Sequence, residues 1–260
     1  MVYPRVWLGR LLVRLGDMVK ASALMVMKKD DLVEFSRRSY SDRKFLGYWT
    51  DPQRVNSGIN DEERALLEKI PVRGGRLLLL GVGGGREAIS LGKMGFKVTA
   101  VDFIPEMVKS AVFNAAQCGV SIEGLVGEVS RIKLPASTFD VVWLMAAMYS
   151  SIPTSKRRIN TLQNISKSLR PGGYFLLQFM WNNGARGATR AERLKKMIAL
   201  LTAGNMTYEK GDLLWRYEEF IHFFSSEDEL RGEFAAGGFQ VEFLHLPAKS
   251  GMGGAVLKKL

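Results

Sequence analysis

The residues whose types and spacing point to chemistry are Gly81, Gly83, Gly84 and Gly85, followed by Asp102, an acid 21 positions after the first of them. Glycine carries no Cβ, so the backbone N–H groups of such a loop can close on a ligand, and the chain can turn through positive φ. A helix starting at the loop places partial positive charge there, which favours a negatively charged group. A carboxylate at the tip of a neighbouring strand can accept hydrogen bonds from both hydroxyls of a ribose. These residues are therefore suited to hold a ligand that carries a ribose.

The flanking sequence supplies the elements that would position them. Leu77–Leu80 is an apolar run that predicts a buried strand. Arg86 to Met94 has helical spacing, with Ala88, Leu91 and Gly92 on one face, and Gly95 stops it. Lys97–Val101 alternates and is β-branched, which predicts a second strand ending at Asp102. The whole is one βαβ unit with a glycine-rich first turn. Two cofactors fit it. A nicotinamide fingerprint started at Gly81 fails at Arg86, but started at Gly83 it reads Gly83, Gly85, Ala88. The S-adenosylmethionine (SAM) pattern G-x-G-x-G reads Gly81, Gly83, Gly85. The unit alone leaves both open.

At 260 residues the chain can form one large α/β domain with a substantial core. Its net charge of +11 favours contact with nucleic acid, anionic lipid or an anionic small molecule, without choosing among them. A single cysteine, Cys118, rules out a disulfide framework and points to a reducing, cytoplasmic setting. His222 and His245 are far apart, with no Cys/His cluster of zinc-ligand spacing, so no metal is expected.

Residues 1–29 hold six Lys/Arg and one acid, Asp17, with Trp7, Leu8, Leu11, Leu12, Leu15 and Met18 at helical spacing. No apolar run approaches the length of a membrane span. A helix packed on the domain is the preferred reading, beside a helix on anionic lipid and an organellar presequence. Residues 1–70 read as an N-terminal helical segment and residues 71–260 as the catalytic domain. Further elements follow in alternation: a helix from Pro105 to Gln117, a strand at Ser121–Val126, a strand at Thr138–Leu144, a helix at Ser155–Leu169 and a strand at Tyr174–Met180. This rhythm predicts a doubly wound, mostly parallel sheet with its site at the carboxyl ends of the strands. Residues 182–216 read as a helical, lid-like insertion after strand five, with a helix from Ala188 to Leu201. A helix at Glu227–Ala236 and strands at Gln240–Leu246 and Ala255–Leu260 complete the chain.

From Leu77 to about Leu246 the sequence resembles the class I SAM-dependent methyltransferases. The resemblance rests on LLLLGVGGGREA, VTAVDFIPEMV with Asp102, GEV at Gly127–Val129, the FDVVWL strand, SLRPGGYFLL and AAGGFQVEFL, in that order. It decides for SAM over nicotinamide. It implies a seven-stranded sheet whose last strand is antiparallel, with S-adenosylhomocysteine as the product. It also implies roles. The backbone of Gly81, Val82, Gly83 and Gly85 approaches the amino-acid part of SAM, and Asp102 holds the ribose. Phe103 and Val129 sandwich the adenine, Gly127 and Glu128 border it with Glu128 accepting from its amino group, and Met145 lines the methionine arm. Two positions depart from the family pattern. Leu79 stands where an acid is usual, and Glu128 replaces the commoner Asp.

The segment after strand four lacks the Asp/Asn-Pro-Pro-aromatic motif of enzymes that methylate exocyclic or amide nitrogens, and no RNA-binding appendage is visible. The favoured reading is methyl transfer to a small-molecule oxygen or nitrogen. An RNA or protein methyltransferase and a catalytically inactive SAM-binding module are the alternatives. Met148, Tyr149, Trp181, Trp215 and Phe223 are candidates for an aromatic acceptor pocket. His222 is the candidate acid–base residue, since imidazole titrates nearest neutrality. Nothing in the sequence specifies an oligomeric state.

Overall fold

The computed structural model describes residues 3–183, 197–216 and 218–260. The chain opens with α1 (Pro4–Val26), α2 (Lys29–Tyr40), α3 (Arg43–Trp49), α4 (Pro52–Asn56) and α5 (Asp61–Glu68). Short polar side chains set three of these starts. Asp42, Asp51 and Asn60 accept hydrogen bonds from first-turn N–H groups that have no partner within the helix. Asn60 and Glu63 bond reciprocally, each side chain to the other's backbone N–H.

The rest alternates: β1 (Gly75–Leu80), α6 (Arg86–Lys93), β2 (Phe96–Asp102), α7 (Pro105–Gln117), β3 (Glu123–Val126), β4 (Phe139–Leu144), a 3-10 turn at Met148–Ser151, α8 (Ser155–Ser168) and β5 (Leu169–Trp181). Then come β6 (Asp212–Trp215), β7 (Glu219–Phe224), α9 (Glu227–Ala236), β8 (Phe239–His245) and β9 (Gly251–Lys259). The strands β3-β2-β1-β4-β5 pair in parallel. β9 runs antiparallel to β5, and β8 pairs with β9. This is the expected doubly wound sheet with an antiparallel last strand.

Side-chain alternation splits the core into two layers. Leu78 and Leu80 of β1 join Val142 and Leu144 of β4 on the face covered by α8 and α9. Leu77 and Leu79 join Val141 and Trp143 on the face covered by α5, α6 and α7. With helices on both sides, central strands have no polar face, which is why they read as unbroken apolar runs.

An extra antiparallel hairpin, β6–β7, is attached to this sheet. β9 occupies one edge of β5, and β4 occupies the other only as far as Leu177. β7 takes the remaining stretch, pairing in parallel with Met180 and Trp181. The segment 182–216, expected to carry a helix at Ala188–Leu201, thus also ends in a strand, which that reading did not include. Residues 184–196, which include most of the helix expected at Ala188–Leu201, lie outside the described residues.

α1 also departs from expectation. Only its last turn is packed, with Leu24 and Met25 against Leu32, Ala199 and Phe220. Asn205 ties down the same turn, donating its backbone N–H to the Met25 carbonyl and its Nδ2 to that of Leu24. Trp7, Leu12, Met18 and Val19 remain more than half exposed. Among the described residues, no helix is long and apolar enough to cross a membrane.

Candidate active site

Where β1 ends, the chain turns through Gly81 (φ +81°) and Gly83 (φ +51°) into α6. A Cβ on Gly81 would push the flexible Met148 side chain aside, and the Gly81 φ of +81° is a conformation that favours glycine. A Cβ on Gly83 would meet nothing closer than a Trp49 ring carbon at 3.8 Å, so this peptide borders open space. Its N–H donates to Asp102 Oδ2 at 3.0 Å, and Ile104 N–H donates to Oδ1 at 3.0 Å. The glycine loop and the tip of β2 are thereby fixed to each other. Burial pushes the Asp102 carboxyl up from its ordinary value, and the N–H groups of Gly83, Ile104 and Phe103 pull it back. Each oxygen keeps a further lone pair for a ligand hydroxyl.

Loop, strand tips and N-terminal helices enclose a cavity of about 350 Å³. Gly81, Val82, Gly83, Asp102, Phe103, Glu128, Val129 and Met145 all line it, as do Met148 and Trp215. Gly85 and Gly127 do not. Gly85 caps α6 and lets that turn pack on Ala111, while Gly127 donates its N–H to the Asp102 carbonyl at 2.9 Å. Glu128 is at the wall, but Arg157 donates to one of its oxygens at 2.7 Å, and the Ser130 hydroxyl to the other at 2.6 Å.

Four sequence candidates are placed elsewhere. Tyr149 is fully buried, donating its hydroxyl to Glu233 at 2.6 Å and stacking on Phe224. Trp181 belongs to the core beneath α8 and α9, and Phe223 is buried against Trp215. His222 is the most consequential correction. Along β7, Glu219 and Ile221 line the cavity, so period-two alternation turns His222 to the opposite face, where it is fully buried. Its Nδ1 lies 2.7 Å from Asp212 Oδ1 and its Nε2 3.5 Å from Glu229 Oε1. It does not reach the cavity.

The group around His222 is an ionic cluster. Arg158, fully buried, donates to Glu233 at 2.7 Å and to Glu209 at 2.9 Å. Glu209, Asp212 and His222 bring donor atoms within 4.8 Å of one another, but Arg158 and backbone N–H groups already hold those carboxylates. Burial pushes the His222 pKa down, and the Asp212 and Glu229 carboxylates outweigh it, leaving the pKa above its ordinary 6.5. The stability that follows is fully present below the ordinary value and is lost as pH rises through the raised one. His222→Gln is therefore expected to flatten the fall of Tm with pH on the alkaline side of 6.5, as read by thermal denaturation. An unchanged slope would contradict the charged pair.

The cavity also holds residues that sequence reasoning left without a role. Tyr40 of α2 donates its hydroxyl to Glu219 Oε2 at 2.6 Å, and both side chains line the wall. Trp49 and Trp143 line it too, and neither indole Nε1 has a hydrogen-bond partner among the described residues. In the sequence Tyr40 and Trp49 stand among Phe35, Phe45 and Tyr48 ahead of the first strand, with no local pattern that sets them apart. Leu79, in the position of the usual acid, is a core residue that also touches the cavity, while Glu87 at the start of α6 lines it paired with Arg86.

Two indole donors without a partner among the described residues, a glycine loop open to the cavity and a carboxylate at the tip of the neighbouring strand fit a nucleoside cofactor. Comparison with known proteins agrees. Residues 78–177 match a family model described as methyltransferase domain. The chain carries a methyltransferase domain with the class I fold. A ubiquinone biosynthesis O-methyltransferase of Xanthomonas axonopodis is 28% identical to the enzyme over 62% of this chain and 68% of the relative. An uncharacterized methyltransferase of Schizosaccharomyces pombe is 27% identical over 76% and 72%. Among solved structures, a SAM-dependent methyltransferase of Methanosarcina mazei superposes with a TM-score of 0.58 at 20% identity, covering 78% of this chain and 99% of its own. That likeness shows a shared fold.

SAM is thus the methyl donor of this methyltransferase. Asp102→Ala is expected to weaken its binding by about 1.5–3 kcal/mol, the usual cost of losing a charged hydrogen-bonding partner. Isothermal titration with S-adenosylhomocysteine checks this. Unchanged affinity in a folded variant would contradict the ribose assignment.

Proposed function

We propose that the enzyme methylates a hydroxyl oxygen of a small molecule held in the cavity beyond the SAM-binding loops. The Tyr40–Glu219 pair carries this reading. The cavity wall is largely apolar, with Val33, Ile152, Pro153, Met180 and Ile221, and this hydrogen-bonded acid lines it too, its Tyr40 partner 6.5 Å from the Phe103 ring between centroids. Burial pushes the Glu219 carboxyl up, with a further push from neighbouring Glu218, while the Tyr40 hydrogen bond draws it back. A raised carboxylate is a better base for a hydroxyl than an ordinary one.

When bound, SAM supplies an electrophilic methyl group. The protein's own residues do the rest. α2 and β7 hold the acceptor and exclude water, Glu219 accepts the hydroxyl proton, and the Tyr40 hydroxyl fixes the carboxylate's orientation. The O-methyltransferases among the relatives favour oxygen over nitrogen. Glu128, held by Arg157 and Ser130, would present its remaining lone pairs to the adenine edge. S-adenosylhomocysteine release, measured against phenols, hydroxylated aromatics and amines, tests the reading. Release with hydroxyl acceptors is the expected result, and release with amines alone would overturn the oxygen assignment.

A further inference from the structure

We propose that α1 docks on an anionic lipid surface, its apolar face entering the headgroup boundary and its arginines flanking that face. At 3.6 residues per turn, Trp7, Leu8, Leu11, Leu12, Leu15, Met18 and Val19 fall within one arc of about 140°. All seven are exposed, Leu11 least at 38% and Val19 most at 71%. Arg5 and Arg14 border the two edges of that arc, and Arg10 lies behind it, all three exposed. The sole acid of the helix, Asp17, lies on the polar side. Exposed Val6 and Val13 interrupt the other face, but an apolar stripe of this width bordered by arginines is the pattern of a helix lying in the plane of a membrane surface. The helix is not apolar enough to span a membrane.

Charge chooses the occupant. A second copy laid face to face would bring arginine borders against arginine borders. An anionic lipid surface offers opposite charge to those borders and apolar depth to Trp7 and Leu12. The whole chain, at +11, adds to the attraction. The fold also gives the docked helix a purpose. Its packed end sits on Leu32 of α2 and Phe220 of β7, and those two elements supply Tyr40 and Glu219 to the cavity. A helix held at the lipid surface would therefore hold the cavity wall that carries Tyr40 and Glu219 beside it.

Flotation of the full chain with vesicles tests this. With phosphatidylcholine containing about one third phosphatidylglycerol, the protein is expected to float at low salt. The bound fraction should fall roughly tenfold at about 0.5 M salt, where screening shortens to a few ångströms. Pure phosphatidylcholine should retain little protein. Leu11→Glu/Leu15→Glu should stay with the unbound protein while its titration with S-adenosylhomocysteine is unchanged, which separates lost docking from lost folding. Wild-type protein unbound at low salt would overturn the proposal. So would undiminished flotation of the double variant, or a double variant that turns a dimer into a monomer when neither protein binds vesicles.

Discussion

Glu219→Gln is expected to lose about 10²–10⁴-fold in turnover while keeping its affinity for S-adenosylhomocysteine. The amide keeps the shape and can still meet the Tyr40 hydroxyl, so the cavity should stay formed, but it cannot take a proton. The pH profile gives a second signature. A carboxylate accepts a proton only when ionised, and burial raises the Glu219 pKa above its ordinary value. Wild-type turnover should therefore fall as pH drops through that raised value, and the fall should vanish in Glu219→Gln. Tyr40→Phe should cost less and displace the acid limb, since the hydroxyl orients the base without touching the reacting proton. Full turnover in Glu219→Gln on the true acceptor would remove Glu219 from the reaction. Positioning alone would then account for transfer.

Arg158→Met is expected to destabilise the fold by about 3–5 kcal/mol, because it strands Glu233 inside the protein. Both partners are buried, Arg158 at 0% and Glu233 at 3% exposure, and they meet through several hydrogen bonds. Glu233 would keep the Tyr149 hydroxyl but lose its counter-charge. Urea denaturation should show a lower midpoint with an unchanged slope. Arg158→Met/Glu233→Leu should recover much of the loss, since apolar side chains of similar volume often replace a buried ion pair at little cost. A single variant as stable as wild type would mean that Glu233 is neutralised or hydrated without Arg158. The cluster joins α8, α9 and the β6–β7 hairpin, so its loss should also loosen the strand that carries Glu219.

The parts of the site that were legible in the sequence are those built from short-range pattern. Leu77–Leu80, the glycines after it and Asp102 form one βαβ unit, and neighbours in sequence set its geometry. α7 and α9 fall at the expected Pro105–Gln117 and Glu227–Ala236 because Pro105 and the Ser226 cap mark their starts. The acceptor side depends on long-range contacts that leave no local mark. Tyr40 and Glu219 are 179 positions apart. β7 pairs with the end of β5 because β4 is shorter than β5, which no period reveals. In Glu219–Phe224 apolar residues occupy both faces, so alternation does not tell which face meets the cavity, and His222 lies on the one that does not. The spacing in α1 shows an apolar face but is silent on whether protein or lipid covers it.

The cavity described above is expected to pass a methyl group from SAM to a small molecule. The most direct measurement incubates the enzyme with methyl-labelled SAM and an extract of its source cells, then separates low-mass products from protein and nucleic acid. The expected result is label in the low-mass fraction with wild-type enzyme, and little there with Glu219→Gln or Asp102→Ala. Label retained on RNA or protein, and absent from the low-mass fraction, would contradict it.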